Sequence, residues 1–427
     1  MTFQQNPERR LPVLLSELSD GPMPDYRDDI LRRVARTRQR PAWTFPERWI
    51  PMTVLSRRPA VVLRAPWRLM SLAALLILVL VALAALYVGS QRRLPAPFGP
   101  AVNGQLANWS GGDILVRDSL TGTDRVLVGG PEADAYPIYS RQGDKFLFVR
   151  NYESPNPIIM VATAAGEGIR QVGGEFPGLD TIEWSPSGSQ IAVGWVDDGV
   201  AVVSIVETEG GASRTLDPGF PATSPFWRPS TDQLLIRGQA GQGTGFYLIR
   251  ADGTGLRRLA ITSEMSDAGQ YDFQDPAWSS DGSALAYHQL DPVAAAPDGN
   301  GFRIHVAQID TAGTVTSQRA LVFDPLADDE LQPRWTPTND GLVFQRREGT
   351  TDTIHLGGLD GKVVRTYEGT STAGDGITMD VSPDGRFVIA RYNADGSLWS
   401  YDTSAPSATR VATSGSADFP NWQRVAP

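Results

Sequence analysis

From residue 103 onward, apolar and polar positions alternate in short runs separated by clusters of Gly, Pro, Asp and Ser, the period-two pattern of half-buried strands. An apolar anchor recurs within this pattern at Tyr139, Trp184, Trp227, Trp278, Trp335, Val381 and Trp422, with spacings of 45, 43, 51, 57, 46 and 41 residues. Each unit holds a strand ending on the anchor, a turn of the Ser-Pro-Asp-Gly kind, two further alternating strands and a fourth. Residues 246–250, 302–308 and 397–402 exemplify the third strand, and residues 256–260 the fourth. Pro presets φ in the turn and Gly accepts positive φ. Four strands in a period near 47 residues predict one propeller blade per unit, so the fold class is all-β, a seven-bladed β-propeller with four-stranded antiparallel blades. An aromatic at fixed register is what such a repeat needs for packing between blades, and the anchors are assigned no catalytic role.

The seventh unit is split. No strands follow Trp422, whereas residues 103–109, 113–118 and 125–129 read as a second, third and fourth strand lacking a first. The strand around Trp422 is therefore expected to pair with the strand around Leu106 and close the ring, leaving no free sheet edge within it.

Upstream the pattern changes. Residues 69–88, LMSLAALLILVLVALAALYV, carry no charge, and twenty helical residues span roughly 30 Å, so an uncleaved transmembrane helix is expected. Arg57, Arg58, Arg64 and Arg68 precede the run and only Arg92 and Arg93 follow it, which predicts a cytoplasmic N-terminus and an extracytoplasmic propeller at the cell membrane. The domains expected are a basic helical region over 1–68, the span over 69–88, a linker over 89–102 and the propeller over 103–427. Residues 1–68 hold 13 Arg and 7 acids, a net of +6, and residues 94–427 carry a net of −18. An acidic propeller repels phosphate, so no direct nucleic-acid binding is expected. The absence of cysteine removes disulfides, thiolate metal sites and cysteine nucleophiles.

In the N-terminal region Leu11, Leu14, Leu15 and Leu18 recur at helical spacing, and a second helix from about Pro24 places Tyr26, Ile30, Leu31 and Val34 in one stripe. Two helices of this size bury too little to stand alone, which makes the two stripes a candidate cytosolic partner face. The run PAWTFPERWIP (41–51) reads as a linker or a segment lying on the bilayer surface.

The turns carry a family resemblance. Trp278-Ser-Ser-Asp-Gly and Val381-Ser-Pro-Asp-Gly resemble the P-x-W-S-P-D-G repeat of TolB-like propellers, a resemblance covering roughly residues 103–424 and related to WD-type repeats; RQGD, RPSTD and TPTND after Tyr139, Trp227 and Trp335 depart from it. It implies a propeller and says little about activity. Prolyl-oligopeptidase propellers are similar but carry an α/β-hydrolase domain, for which the repeats leave no room here. A short helical cytosolic region, one span and an outer sensor domain resemble membrane-anchored anti-sigma factors, which implies a sigma factor as partner; the His and Cys zinc motif common in that family is absent.

Candidate chemistry lies in the loops. The three longest connections, 261–275, 289–301 and 324–332, emerge on one face around one blade and hold Glu264, Asp267, Asp272, Asp275, Asp291, Asp298, Asp324, Asp328, Asp329 and Glu330 without a Lys or Arg. Such a face would suit a hard cation such as Ca²⁺ or a basic peptide, or would simply keep an acidic domain soluble. No D-x-D-x-D-G loop supports the calcium reading, so no cofactor is assigned. His288, His305 and His355 fall inside expected strands, the last two at equivalent places of successive blades, which favours packing over general-base use. With no H-E-x-x-H and no G-x-S-x-G, the chain reads as a non-enzyme. The expected function is recognition of an envelope protein or ligand by a membrane-anchored propeller. The alternatives are an anti-sigma-like regulator acting through the N-terminal helices and a propeller hydrolase or lyase.

Overall fold

Seven antiparallel sheets follow one another along the chain, each supplying one blade. The computed structural model describes residues 71–81 and 94–426, apart from 241–242, 263–272, 292–300, 368–370, 373–376, 393–395, 406–407 and 412–417. The chain divides into two units, Met1–Gln91 and Arg92–Pro427, and the second holds the propeller. Its first blade joins β1 (Val102–Ser110), β2 (Asp113–Arg117) and β3 (Arg125–Val128) to β29 (Asp418–Val425), in the order β29-β1-β2-β3. Blades two to seven begin on the inner strands β4 (Asp134–Tyr139), β8 (Thr181–Trp184), β12 (Ala222–Trp227), β16 (Phe273–Trp278), β20 (Asp329–Trp335) and β25 (Ile377–Val381). Each continues outward through three more strands in chain order, and blade six carries an extra short strand, Ser371–Thr372.

The ring closes in the expected register, with Leu106 opposite Trp422. Side chains of the last strand also reach blade two. Asn421 Oδ1 accepts the Tyr139 N–H at 2.8 Å, and Gln423 Nε2 donates to the Gly143 carbonyl at 2.7 Å. The anchors pack between blades as the repeat requires: the Trp184 indole donates to Ile138 O and the Trp335 indole to Ala277 O, both in the preceding inner strand and both at 2.9 Å. Apolar clusters fill the ring, such as Leu147, Ile159, Val161, Trp184, Ile191 and Val193 between blades two and three.

The turns after the anchors share one geometry even where their sequences depart from the family pattern. In all six complete turns a backbone N–H closes on the carbonyl three residues back, as Gly143 on Ser140, Gly282 on Ser279, Thr231 on Arg228 and Asn339 on Thr336. Positive φ falls on Gly143, Gly188, Gly282 and Gly385, and on Asn339 and Ser230 where Gly is missing. The hydroxyl of the first residue then accepts an N–H five residues on, at 2.9 Å for Ser279 and 2.8 Å for Ser382. Blade four has Arg228 at that place. Its guanidinium crosses instead to the carbonyls of Gly282 (2.9 Å) and Asp310 (2.7 Å) in blade five and lies 5.3 Å from the Trp278 ring centre.

A second recurring feature shapes the inner strands. Tyr136, Ser224, Asp275 and Gln332 have φ of 55°, 52°, 46° and 52°, and each immediately precedes a proline. Each sits in a register shift against the second strand of its blade. Proline has no N–H to offer the ladder, and a bulge accommodates that loss while turning the preceding side chain aside. In blades three and seven Ile182 and Met379 take the proline's place and the ladder is regular.

In the first unit residues 71–81 form a helix. Among the described residues no helix is long and apolar enough to cross a membrane. The expected span over 69–88 includes residues 69–70 and 82–88, which lie outside the described residues, as do both N-terminal helices and their candidate partner face.

Candidate functional site in the central channel

The described part of the acidic connections is partly matched by charges on neighbouring strands. Glu264, Asp267, Asp272 and Asp298 lie outside the described residues, and Asp291 ends a strand, Ala284–Asp291. Of the acids whose side chains are described, Asp324, Asp329 and Glu330 meet cations supplied by neighbouring strands. Asp324 and Glu330 lie 3.3 and 3.7 Å from the Arg346 guanidinium, while Asp329 and the buried Asp352 share Arg347 at 3.8 and 3.0 Å. Asp329 also accepts the Phe302 N–H, Asp328 accepts the Gly349 N–H, and Arg303 binds the carbonyls of Ala327 and Asp328. A count of charges within the loops missed these arginines because they stand on strands that pair with or pack on the loops. Among the described residues no group of three or more potential ligands could hold a metal ion.

Glu330 is fully buried and its pKa is pushed up to about 7 by that burial, against the opposing pull of the Asp324 amide, Arg303 and Arg346. A carboxyl whose folded pKa is raised favours its neutral form in the fold. Its contribution is complete below the ordinary carboxylate range and is lost as pH rises through 7. The stability difference between Glu330→Gln and the parent is therefore expected to move in the variant's favour from pH 5 to pH 8. Urea midpoints measured across that range check the sign; a difference that stays flat or shrinks with pH contradicts it.

The histidines are built into blade packing. His305 stacks on Tyr287 at 5.7 Å and His355 on Phe344 at 5.4 Å, equivalent places in blades five and six. His355 also meets the hydroxyls of Thr353 and Thr366. Burial pushes His288 down to about 4, and its Nδ1 accepts the Gln332 N–H.

The inner strands of all seven blades enclose a cavity of about 480 Å³ at the centre of the ring. The residue just before each anchor lines it: Ile138, Glu183, Phe226, Ala277, Arg334, Asp380 and Asn421. Two bulged residues, Tyr136 and Asp275, join them, so the left-handed backbone at these positions serves the cavity. Charge is unevenly matched inside. Arg141 pairs with Glu183 at 2.5 Å. Asp380 accepts the Val381 N–H at 2.9 Å; burial raises its pKa, and Arg334 leads the groups that pull it back. Arg424 is lowered to about 10 by burial, then by Arg141, with Asp380 opposing. The Arg334 guanidinium bonds its neighbour's carbonyl, Pro333 O at 3.0 Å, and has no carboxylate within ion-pair distance among the described residues. An aromatic-walled channel holding a cation that no carboxylate pairs directly among the described residues suits an anionic group on a ligand.

Only the residue before each anchor could have revealed this site from sequence, and its identities share no chemical theme until the ring brings them together. At the end of the channel where the anchor turns lie, residues 94–101 cross the opening.

No protein-family model matches the sequence, and none of the curated proteins matches it. Solved structures match in fold. A prolyl endopeptidase aligns with a TM-score of 0.52 and 13% identity over 74% of this chain and 50% of the other, so this chain spans about half that enzyme's length. TolB of Acinetobacter baumannii aligns at 0.45 with 13% identity over 76% and 81% of the two chains. The Cps50 (Swd1) β-propeller domain of Myceliophteria thermophila aligns at 0.50 with 14% identity over 74% and 99%. At identities this low the likeness speaks to fold alone, and the fold of residues 102–425 is a β-propeller of seven four-stranded blades.

Proposed function

We propose that the chain is a membrane-anchored, extracytoplasmic propeller that binds a ligand or protein at its central channel without catalysing a reaction. The observation that carries this reading is the channel's combination of aromatic walls with Arg334, a cation left without a close carboxylate among the described residues. Anchoring draws support from the helix over 71–81, which exposes Leu72, Leu75, Leu76, Ile77, Leu78, Val79, Leu80 and Val81. A helix in water hides its apolar stripe, whereas one apolar on every side suits lipid. The arginine excess before residue 69 favours a cytoplasmic N-terminus.

A photo-crosslinking phenylalanine analogue at Phe226, on the channel wall, tests the binding reading in cells. A discrete adduct is expected from the otherwise unaltered chain and is expected to vanish with Arg334→Glu. Absence of any adduct, or one indifferent to Arg334→Glu, contradicts it. Alkaline extraction tests the anchor: the full-length chain is expected to stay with the membrane pellet, and release into the supernatant contradicts anchoring.

The second reading, a regulator that holds a sigma factor through Leu11, Leu14, Leu15, Leu18, Tyr26, Ile30 and Val34, draws on the basic, leucine-striped region before the span. Recovery of a sigma subunit by the full-length chain, lost with Leu14→Glu, supports it.

A further inference from the structure

The stretch crossing the channel opening is Leu94-Pro95-Ala96-Pro97-Phe98-Gly99-Pro100-Ala101, a proline-rich segment that forms neither helix nor strand. Three features hold it. Arg424 donates one guanidinium nitrogen to two of its carbonyls, Ala96 O at 3.1 Å and Gly99 O at 2.6 Å. Arg141 lies 5.2 Å from the Phe98 ring centre. The Ala101 N–H closes on Pro383 O, in the turn of blade seven, at 2.9 Å.

These contacts have the chemistry of extended-peptide recognition. Prolines remove N–H groups and fix φ, so such a segment offers a receptor its carbonyls and a pre-ordered ring at little entropic cost. The opening supplies what that peptide needs: a half-buried guanidinium for carbonyls, a second one for an aromatic face, and walls of proline and tryptophan such as Pro337, Pro383 and Trp422. Arg424 also keeps its Nε buried with no partner among the described residues, a donor the segment leaves unused. The segment itself is shallowly held. Pro95 is buried, but Leu94, Ala96 and Pro100 are exposed.

We infer that the anchor-turn end of the channel is a binding site for an extended proline-aromatic peptide of a partner protein, and that residues 94–100 are its resident intramolecular ligand, displaced when the partner binds. The inference rests on the reading of the chain as a channel-binding module and adds the class of its ligand. A tethered occupant works against a free one through its high local concentration, so partner binding is weak until the strap lets go.

The test uses the full-length chain and, as probe, a synthetic peptide of residues 94–100 with both ends blocked. In one variant Pro95→Ser, Pro97→Ser and Phe98→Ser together remove the strap's grip. Calorimetric titration is expected to show one peptide bound per strap-altered chain, with affinity at least about tenfold higher than for the unaltered chain. Adding Arg141→Gln to the altered chain, or replacing Phe98 by Ala in the peptide, is expected to abolish the binding with the melting temperature unchanged. The inference is overturned if the strap-altered chain, folded by circular dichroism, ignores the peptide at millimolar concentration, if it binds no better than the parent, or if Arg141→Gln leaves binding intact. Should the peptide fail while the Arg334-dependent adduct at Phe226 persists, only the ligand class falls; loss of both removes the binding-module reading as well.

Discussion

Deletion of residues 418–427 is expected to abolish cooperative unfolding and to drive the chain into aggregates. These residues contain β29, which supplies the inner strand of the first blade and the whole of the ring closure. Without it β1 presents a free edge beside Leu106, which is completely buried in the intact ring, and an uncovered edge of this kind templates further pairing. Truncating one buried tryptophan costs about 3–5 kcal/mol, and Trp422 is only part of what is lost, against a total stability of roughly 5–15 kcal/mol for a domain. Thermal melts by circular dichroism, with size-exclusion chromatography, provide the measurement. A truncated chain that stays monomeric and melts cooperatively within a few degrees of the parent contradicts the closure argument.

A single methyl group should produce a milder version of the same failure. A Cβ on Gly143 would stand 1.9 Å from the Arg424 carbonyl oxygen, in the last strand's backbone, and φ at Gly143 is +69°. Backbone cannot swing aside as a flexible side chain would, so Gly143→Ala is expected to loosen the seam between blade two and β29 and lower the melting temperature.

The second large effect is expected at an ion pair sealed within the first blade. Arg117, at the end of β2, and Asp124, just before β3, meet at 2.6 Å with side chains 0% and 1% exposed. The Arg117 Nε–H adds a hydrogen bond to the same carboxylate at 2.8 Å. Removing one member of such a pair strands the other charge in a dry interior, at a cost of about 3–5 kcal/mol. Asp124→Ala is expected to lower the unfolding free energy from urea titration by that amount. The double replacement Arg117→Leu with Asp124→Ala is expected to recover most of it, because no unpaired charge then remains. A double variant as unstable as Asp124→Ala alone would show that Arg117 matters for something other than its charge.

Sequence sufficed for features written in local chemistry and failed for those made by distant neighbours. Trp184 and Trp335 announced blades because an aromatic at fixed register has one reason to recur, and both indoles bond the preceding blade. Leu106 and Trp422 could be matched because one unit lacked its first strand and another lacked the rest. The odd turns after Trp227 and Trp335 kept the common geometry, since Ser230 and Asn339 tolerate the left-handed φ that glycine takes elsewhere. The acids misled. Glu330 and Asp324 read as a field of one sign, but Arg346 stands a strand away, and pairing across strands leaves no trace in a loop's own composition. Arg334, Asp380 and Glu183 were passed over altogether, being scattered through the chain and joined only when seven strands share one axis.

Where β1 meets β29 the Gln105 N–H donates to Gln423 Oε1, between residues 318 positions apart. A ribosome adding about 5–20 residues per second needs roughly 15–60 s to make the stretch between them. For that interval the first three strands wait beside the nascent chain with their partner not yet made. Whatever shields them then becomes a condition for obtaining this protein at all, and slowing translation should lower its yield well before it lowers that of proteins whose sheets are completed locally.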